Sequence, residues 1–209
     1  MSHTPRRSRV TVLLAAMTLA SAPLAVTGQA HAATWTQQDA RGDVLAISQS
    51  AGSEKETVEP APEDTATDIT RFTVNHTARK VALVLRVRDL RHGDTMVSAR
   101  LVTPRGAYDV LAFRSADLRM FGVSAANGTD VPCRGKKLRL DTVRDLIRIT
   151  VPRACLGDPR WVRAGAGLVR GNLLSDDSSI TADEALRTGS EEAASSDARL
   201  KVGKKVRVG

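Results

Sequence analysis

The sequence predicts an all-β protein: an antiparallel β-sandwich, jelly-roll-like, carrying one disulfide and preceded by a cleaved signal peptide. Three observations carry this prediction. Apolar side chains recur with a period of two, as in Val81, Leu83, Leu85 and Val87 set against Ala82, Val84, Arg86 and Arg88, whereas a helix repeats every three to four residues. Turn residues separate the short apolar runs at regular spacing, the pattern of sandwiches and barrels. No amphipathic helix of three turns is readable before residue 180.

Residues 1–32 read as a secretory leader. Arg6, Arg7 and Arg9 make a basic start, residues 10–26 are apolar but interrupted by Ser21 and Pro23, and Ala30-His31-Ala32 has the small-x-small form that signal peptidase cuts. The apolar stretch is shorter than the roughly 20 residues of a membrane span. The twin arginine lacks the hydrophobic context of the folded-export route, so general secretion is expected. No stable membrane span follows, and the mature protein is expected to be extracellular.

Residues 33–189 are expected to form the sandwich domain. Residues 43–48 give a first strand and residues 69–75 a second, flanking a mobile acidic loop at 49–66 that is rich in Glu, Thr and Pro. A turn at 77–80 leads into the alternating run at 81–88. Thr95, Val97, Ala99 and Leu101 repeat the alternation after Gly93-Asp94. Pro104-Arg105-Gly106 turns the chain into Tyr108, Val110 and Ala112. Residues 120–124 read as a strand closed by Asn127-Gly128, and residues 146–151 and 161–169 complete the series. Residues 190–209 read as a polar, basic tail or a closing strand.

Cys133 and Cys155 are the two cysteines of the chain. In an oxidising compartment they have one connectivity, and residues 152–157 are long enough only for a helical turn that presents Cys155 to Cys133. Closing that loop stabilises the fold by about 3 kcal/mol in the chain-entropy view.

The net charge is +8, and +5 once the three leader arginines are removed. It is unevenly spread: residues 34–70 hold eight acidic and two basic side chains, residues 71–174 hold twenty basic and eight acidic ones. A basic body attracts polyanions such as an anionic surface polymer or an acidic glycan. Arg86, Arg88 and Arg100 are candidate contact residues, on the polar side of two strands, if those strands pair. The simpler alternative is an arginine-rich composition of a GC-rich genome with a solvated surface, which the scattering of the arginines favours over a dedicated polyanion site; nucleic acid is not expected as a partner.

The chemistry of catalysis is thinly represented. The mature chain keeps two histidines, His76 and His92, both read as turn or surface residues, and no G-x-S-x-G nucleophile elbow or phosphate-cradling glycine loop occurs. Two histidines and a paired set of cysteines do not supply a zinc site. The sequence leans away from an enzyme. Asn75-His76-Thr77 and Asn127-Gly128-Thr129 match the glycosylation acceptor pattern.

Arg41-Gly42-Asp43 matches an integrin-adhesion tripeptide, but a lone tripeptide is a weak motif, and Asp43 runs directly into Val44, Leu45 and Ile47. A cation-binding reading has more chemistry behind it. Calcium takes six to eight oxygens, largely from carboxylates and carbonyls, and Asp39, Asp43 and Asp68 converge if the strands at 43–48 and 69–75 are neighbours. The simpler alternative keeps Asp39 as a turn former, Asp43 as a strand cap and Asp68 as the end of the acidic loop.

The string "DARGDV" followed by "DITRFTVNHTARKVALVLRVRDL" resembles the opening of secreted β-sandwiches of the carbohydrate-binding-module and DOMON-like type. With "VPRACLGDPRWVR" it is similar to exported proteins of actinobacteria. The resemblance covers roughly residues 39–170 and implies a jelly-roll sandwich with a structural calcium near Asp39 and Asp43. Sugar-binding members use exposed aromatics, and this chain has six: Trp35, Phe72, Tyr108, Phe113, Phe121 and Trp161. Haem-binding members use Met and His axial ligands; Met96, Met120, His76 and His92 occur here, but their types alone do not make a site.

The expected function is a secreted, non-catalytic binding module for an anionic surface polymer or glycan. The alternatives are a secreted hydrolase of unrecognised type, or a structural or inhibitor-like protein that binds another protein.

Overall fold

The computed structural model describes residues 33–49, 52, 56–174, 178–188 and 199–209. The expected signal peptide lies outside the described residues. Among these residues there are thirteen strands and one short 3₁₀ turn, and every strand pairing is antiparallel.

Two sheets form. The first has five strands in the order β1 (Ala33–Gln38), β4 (Ile69–His76), β5 (Lys80–Val87), β10 (Leu146–Pro152) and β9 (Lys137–Asp141). The second runs β3 (Thr57–Pro60), β2 (Leu45–Gln49), β12 (Ser178–Glu184), β11 (Trp161–Gly171), β6 (Thr95–Thr103), β7 (Gly106–Arg114) and β8 (Arg119–Ala125), with β13 (Val206–Arg207) also paired to β11. The core lies between them. Phe72, Val74, Leu83, Leu85, Ile147 and Ile149 from the first sheet pack with Val97, Leu101, Ala164 and Leu168 from the second, all of them fully buried. Burying side chains of the Val, Leu, Ile and Phe type stabilises by about 1.5–3 kcal/mol each. The alternation seen in the sequence is therefore the inside–outside alternation of two half-buried faces.

Cys133 and Cys155 are bonded, with Cα atoms 5.3 Å apart. The 3₁₀ turn at Arg153–Leu156 follows β10 directly and ends at Gly157 in the left-handed conformation, φ 71°. Its Leu156 is buried, and the carbonyl of Leu156 accepts the Tyr108 hydroxyl at 3.3 Å. The bond thus ties the chain between β8 and β9 to the end of β10.

Several elements were not anticipated. β1 and β9 are short, and each offers only two alternating apolar side chains, Ala33 and Trp35 in β1 and Leu138 and Leu140 in β9. β3 forms within the stretch read as a single acidic loop, pairing with β2; residues 50, 51 and 53–55 of that stretch lie outside the described residues. β12 uses the half of β11 from Gly167 to Gly171, and β13 uses Trp161 and Val162. The C-terminal residues therefore take up the position beside β11 that β12 leaves, which is the closing-strand alternative.

His76 departs from expectation. It is fully buried rather than a turn or surface residue. Its Nδ1 lies 3.0 Å from the Val206 carbonyl, and its own carbonyl accepts the Gly209 N–H at 3.3 Å. Burial, the largest influence, lowers its pKa below the ordinary 6.5. The His76 ring thus ties the C-terminal strand across to β4.

Candidate metal centre

Four aspartates approach one end of the sandwich, delivered by both sheets. Asp39 follows β1 and Asp68 immediately precedes β4, in the first sheet; Asp43 precedes β2 and Asp183 lies in β12, in the second. The turn that places them is the Arg41-Gly42-Asp43 segment. Gly42 has φ +71°, a conformation L side chains rarely adopt, and its N–H donates to Asp68 Oδ2 at 3.0 Å. The Asp39 N–H donates to the Thr70 carbonyl at 3.2 Å, holding the turn against β4. The tripeptide is thus a turn wrapped around a buried carboxylate.

One carboxylate oxygen from each of Asp43, Asp68 and Asp183 lies within 4.8 Å of the others. Asp68 is fully buried. Its Oδ2 accepts Gly42 N–H and the Arg88 guanidinium at 3.3 Å, while its Oδ1 has no hydrogen-bond partner. Asp183 is nearly buried, and its Oδ2 accepts the Ile69 N–H at 2.6 Å. Asp39 accepts the Ala40 N–H through Oδ1 at 3.2 Å and leaves Oδ2 without a partner.

The electrostatics follow from this crowding. Burial and then the charges of Asp183, Asp43 and Asp68 push the Asp39 carboxyl up to about 8. Burial likewise raises Asp183 to about 8, with Asp43 and Asp68 adding to the rise and the Ile69 N–H opposing it. Among the described residues, Arg88 is the cation paired with the cluster, and its side chain is 40 % exposed. Buried carboxylates without counter-charge are costly, and they are relieved either by protons or by a cation.

The donor set is all oxygen, which suits a hard cation. An ion held at about 2.3–2.6 Å, the calcium distance, bridges oxygens up to roughly 5 Å apart, so the spacing of the three carboxylates fits. A space of about 90 Å³ lies beside Asp43 and Asp183, large enough to admit water.

The structure brings Asp43 and Asp68 together with Asp183, while Asp39 lies outside that set of three and is coupled to it electrostatically; the route is not the one the sequence suggested. β2 and β4 are not neighbours; they belong to different sheets. Their carboxylates meet across the gap between the layers. Asp183 was missed, because the run Ser178–Glu184 is short and polar and its one legible signal is Ile180 and Ala182 at alternate positions.

The arginines behave differently. β5 pairs with β4 and β10, and β6 with β7 and β11, so Arg86, Arg88 and Arg100 do not share adjacent strands. Arg88 is engaged by Asp68, and Arg100 by Asp109 at 2.9 Å. Arg86, exposed and in no ion pair among the described residues, lines a shallow depression of about 170 Å³ with Arg71, Thr36 and Thr73.

No family model, no curated protein and no solved structure matches this chain. The likeness to carbohydrate-binding and DOMON-like sandwiches therefore stands on its residue pattern alone.

Proposed function

We propose that this protein is a secreted, non-catalytic binding module whose two sheets are locked at one end by a calcium ion. Its ligand is an anionic surface polymer or glycan. The observation that carries the reading is the meeting of Asp43, Asp68 and Asp183, from both layers, around a fully buried carboxylate oxygen with no partner. A cation here neutralises charge that the fold otherwise encloses at a cost, and it bridges the sheets. The centre is shut in by Asp68 and Asp183, both buried, which suits a structural ion rather than a catalytic one with an open coordination position. Jelly-roll connectivity and export belong to the same reading, and the disulfide is compatible with an oxidising compartment.

Titration calorimetry of the metal-free protein with calcium and with magnesium tests the ion. The expected result is one calcium per chain, with magnesium weaker because it demands a tighter octahedral shell. Absence of heat for either ion contradicts the metal centre. Turnover of an ester, glycoside or peptide substrate by the purified protein contradicts the non-catalytic assignment.

A further inference from the structure

The outer face of the five-stranded sheet carries an arrangement that strand pairing ordinarily avoids. Arg71 and Arg86 are register partners across β4 and β5, and Arg139 and Arg148 are register partners across β9 and β10. Like charges directly opposite one another destabilise a sheet. Here the arrangement occurs twice on one face.

Among the described residues no acidic partner compensates for it. None of the four guanidinium groups enters an ion pair or hydrogen bond among the described residues. Arg86, Arg139 and Arg148 are exposed and Arg71 is half-buried. The five strands contain one acidic residue, Asp141 at the end of β9, and Arg144 lies 3.9 Å from it. Val84 and Leu146 stand between the two arginine pairs, and a pair of hydroxyl side chains, Thr36 and Thr73, 3.1 Å apart, lies on the β1 side of them.

We propose that this arginine face is the ligand-binding surface and that it takes an acidic polysaccharide lying across the strands. The inference rests on the reading of the protein as a binding module and gives that module its site. From β4 to β9 the face spans three strand intervals of about 4.8 Å, roughly 14 Å in all. That is room for a short run of sugar rings bearing repeated anionic groups. Arginine is suited to the task because its planar fork pairs with carboxylate, sulfate or phosphate through two parallel hydrogen bonds. None of these five strands presents an exposed aromatic ring. The face therefore lacks the stacking platform of single-strand nucleic-acid binders and of neutral-sugar binders.

The test compares two charge-matched double variants of the full mature chain. Arg139→Ser/Arg148→Ser removes one opposed pair from the proposed face. Arg114→Ser/Arg119→Ser removes a similar opposed pair, joined by a hairpin turn, from the other sheet. Binding is measured by calorimetry against polygalacturonate and heparin, with dextran and a single-stranded oligonucleotide alongside.

The expected result is a loss of about tenfold or more for the first variant and little change for the second. The melting temperature of the first variant should hold or rise, since a repulsive pair is gone. A purely structural role predicts the reverse. Equal losses in the two variants, unchanged affinity in the first, or oligonucleotide binding as tight as polysaccharide binding each overturn the proposal. Binding of dextran without either polyanion overturns the arginine face but keeps the module. Binding of none of the four overturns both.

Discussion

Asp183 Oδ2 accepts the backbone N–H of Ile69 at 2.6 Å, so a carboxylate of the eight-stranded sheet is bonded to the first residue of β4 in the five-stranded one. The bond is buried and lies beside Asp68, one residue earlier in the chain. It shows why the acidic cluster matters for the whole fold: the same aspartate that joins the layers also faces two other negative charges.

That crowding sets a pH dependence. In the metal-free native state Asp39 and Asp183 hold their protons up to about pH 8, against an ordinary value of 3.8. Between those limits the native state binds more protons than the unfolded chain, so stability falls as pH rises from about 4 to about 8. Urea denaturation of the metal-free protein at pH 5 and pH 8 should give the lower midpoint at pH 8. A midpoint that climbs across this window would refute the prediction.

The disulfide should be a large contributor. Cys133→Ala/Cys155→Ala is expected to lose about 2–5 kcal/mol, with the β-sheet circular dichroism retained at low temperature. A change under about 0.5 kcal/mol, the usual effect of a surface substitution, would show that the link between Cys133 and the turn after β10 is incidental.

His76 should act as an anchor. His76→Ala removes a buried ring and the hydrogen bond to Val206, at an expected cost of roughly 2–4 kcal/mol from the cavity and the lost partner. Limited proteolysis should then cut within residues 199–209 faster than in the wild type. Unchanged proteolysis and stability would mean that the C-terminal strand is held by other contacts.

Much of the sandwich was legible in the sequence because burying one face of a strand writes a period of two into it. β5, β6 and β10 carry that signature in full. β1, β9 and β12 are too brief for it, each having only two apolar side chains at alternate positions. The cysteine pairing followed from having two cysteines. The acidic site was half legible. Asp43 and Asp68 flank recognisable strands, whereas Asp39 follows the unanticipated β1, and which ends of the two sheets lie together is encoded by no local pattern. Asp183 enters from over a hundred residues away on a strand with little alternation. The opposed arginines were invisible until register was known: Arg71 and Arg86 are ordinary outward-facing residues until β4 and β5 are aligned.

Thermal melting with and without calcium decides whether a cation holds the two layers together. For the wild-type protein, calcium at a hundredfold excess over its dissociation constant should stabilise by about 2.7 kcal/mol. For a domain of this size that raises the melting temperature by roughly 5–10 °C over the chelated protein. In Asp183→Asn, which keeps an oxygen for the Ile69 N–H, and in Asp43→Ala, the calcium-dependent rise should largely vanish. Superimposable wild-type curves in calcium and in chelator would contradict the metal centre.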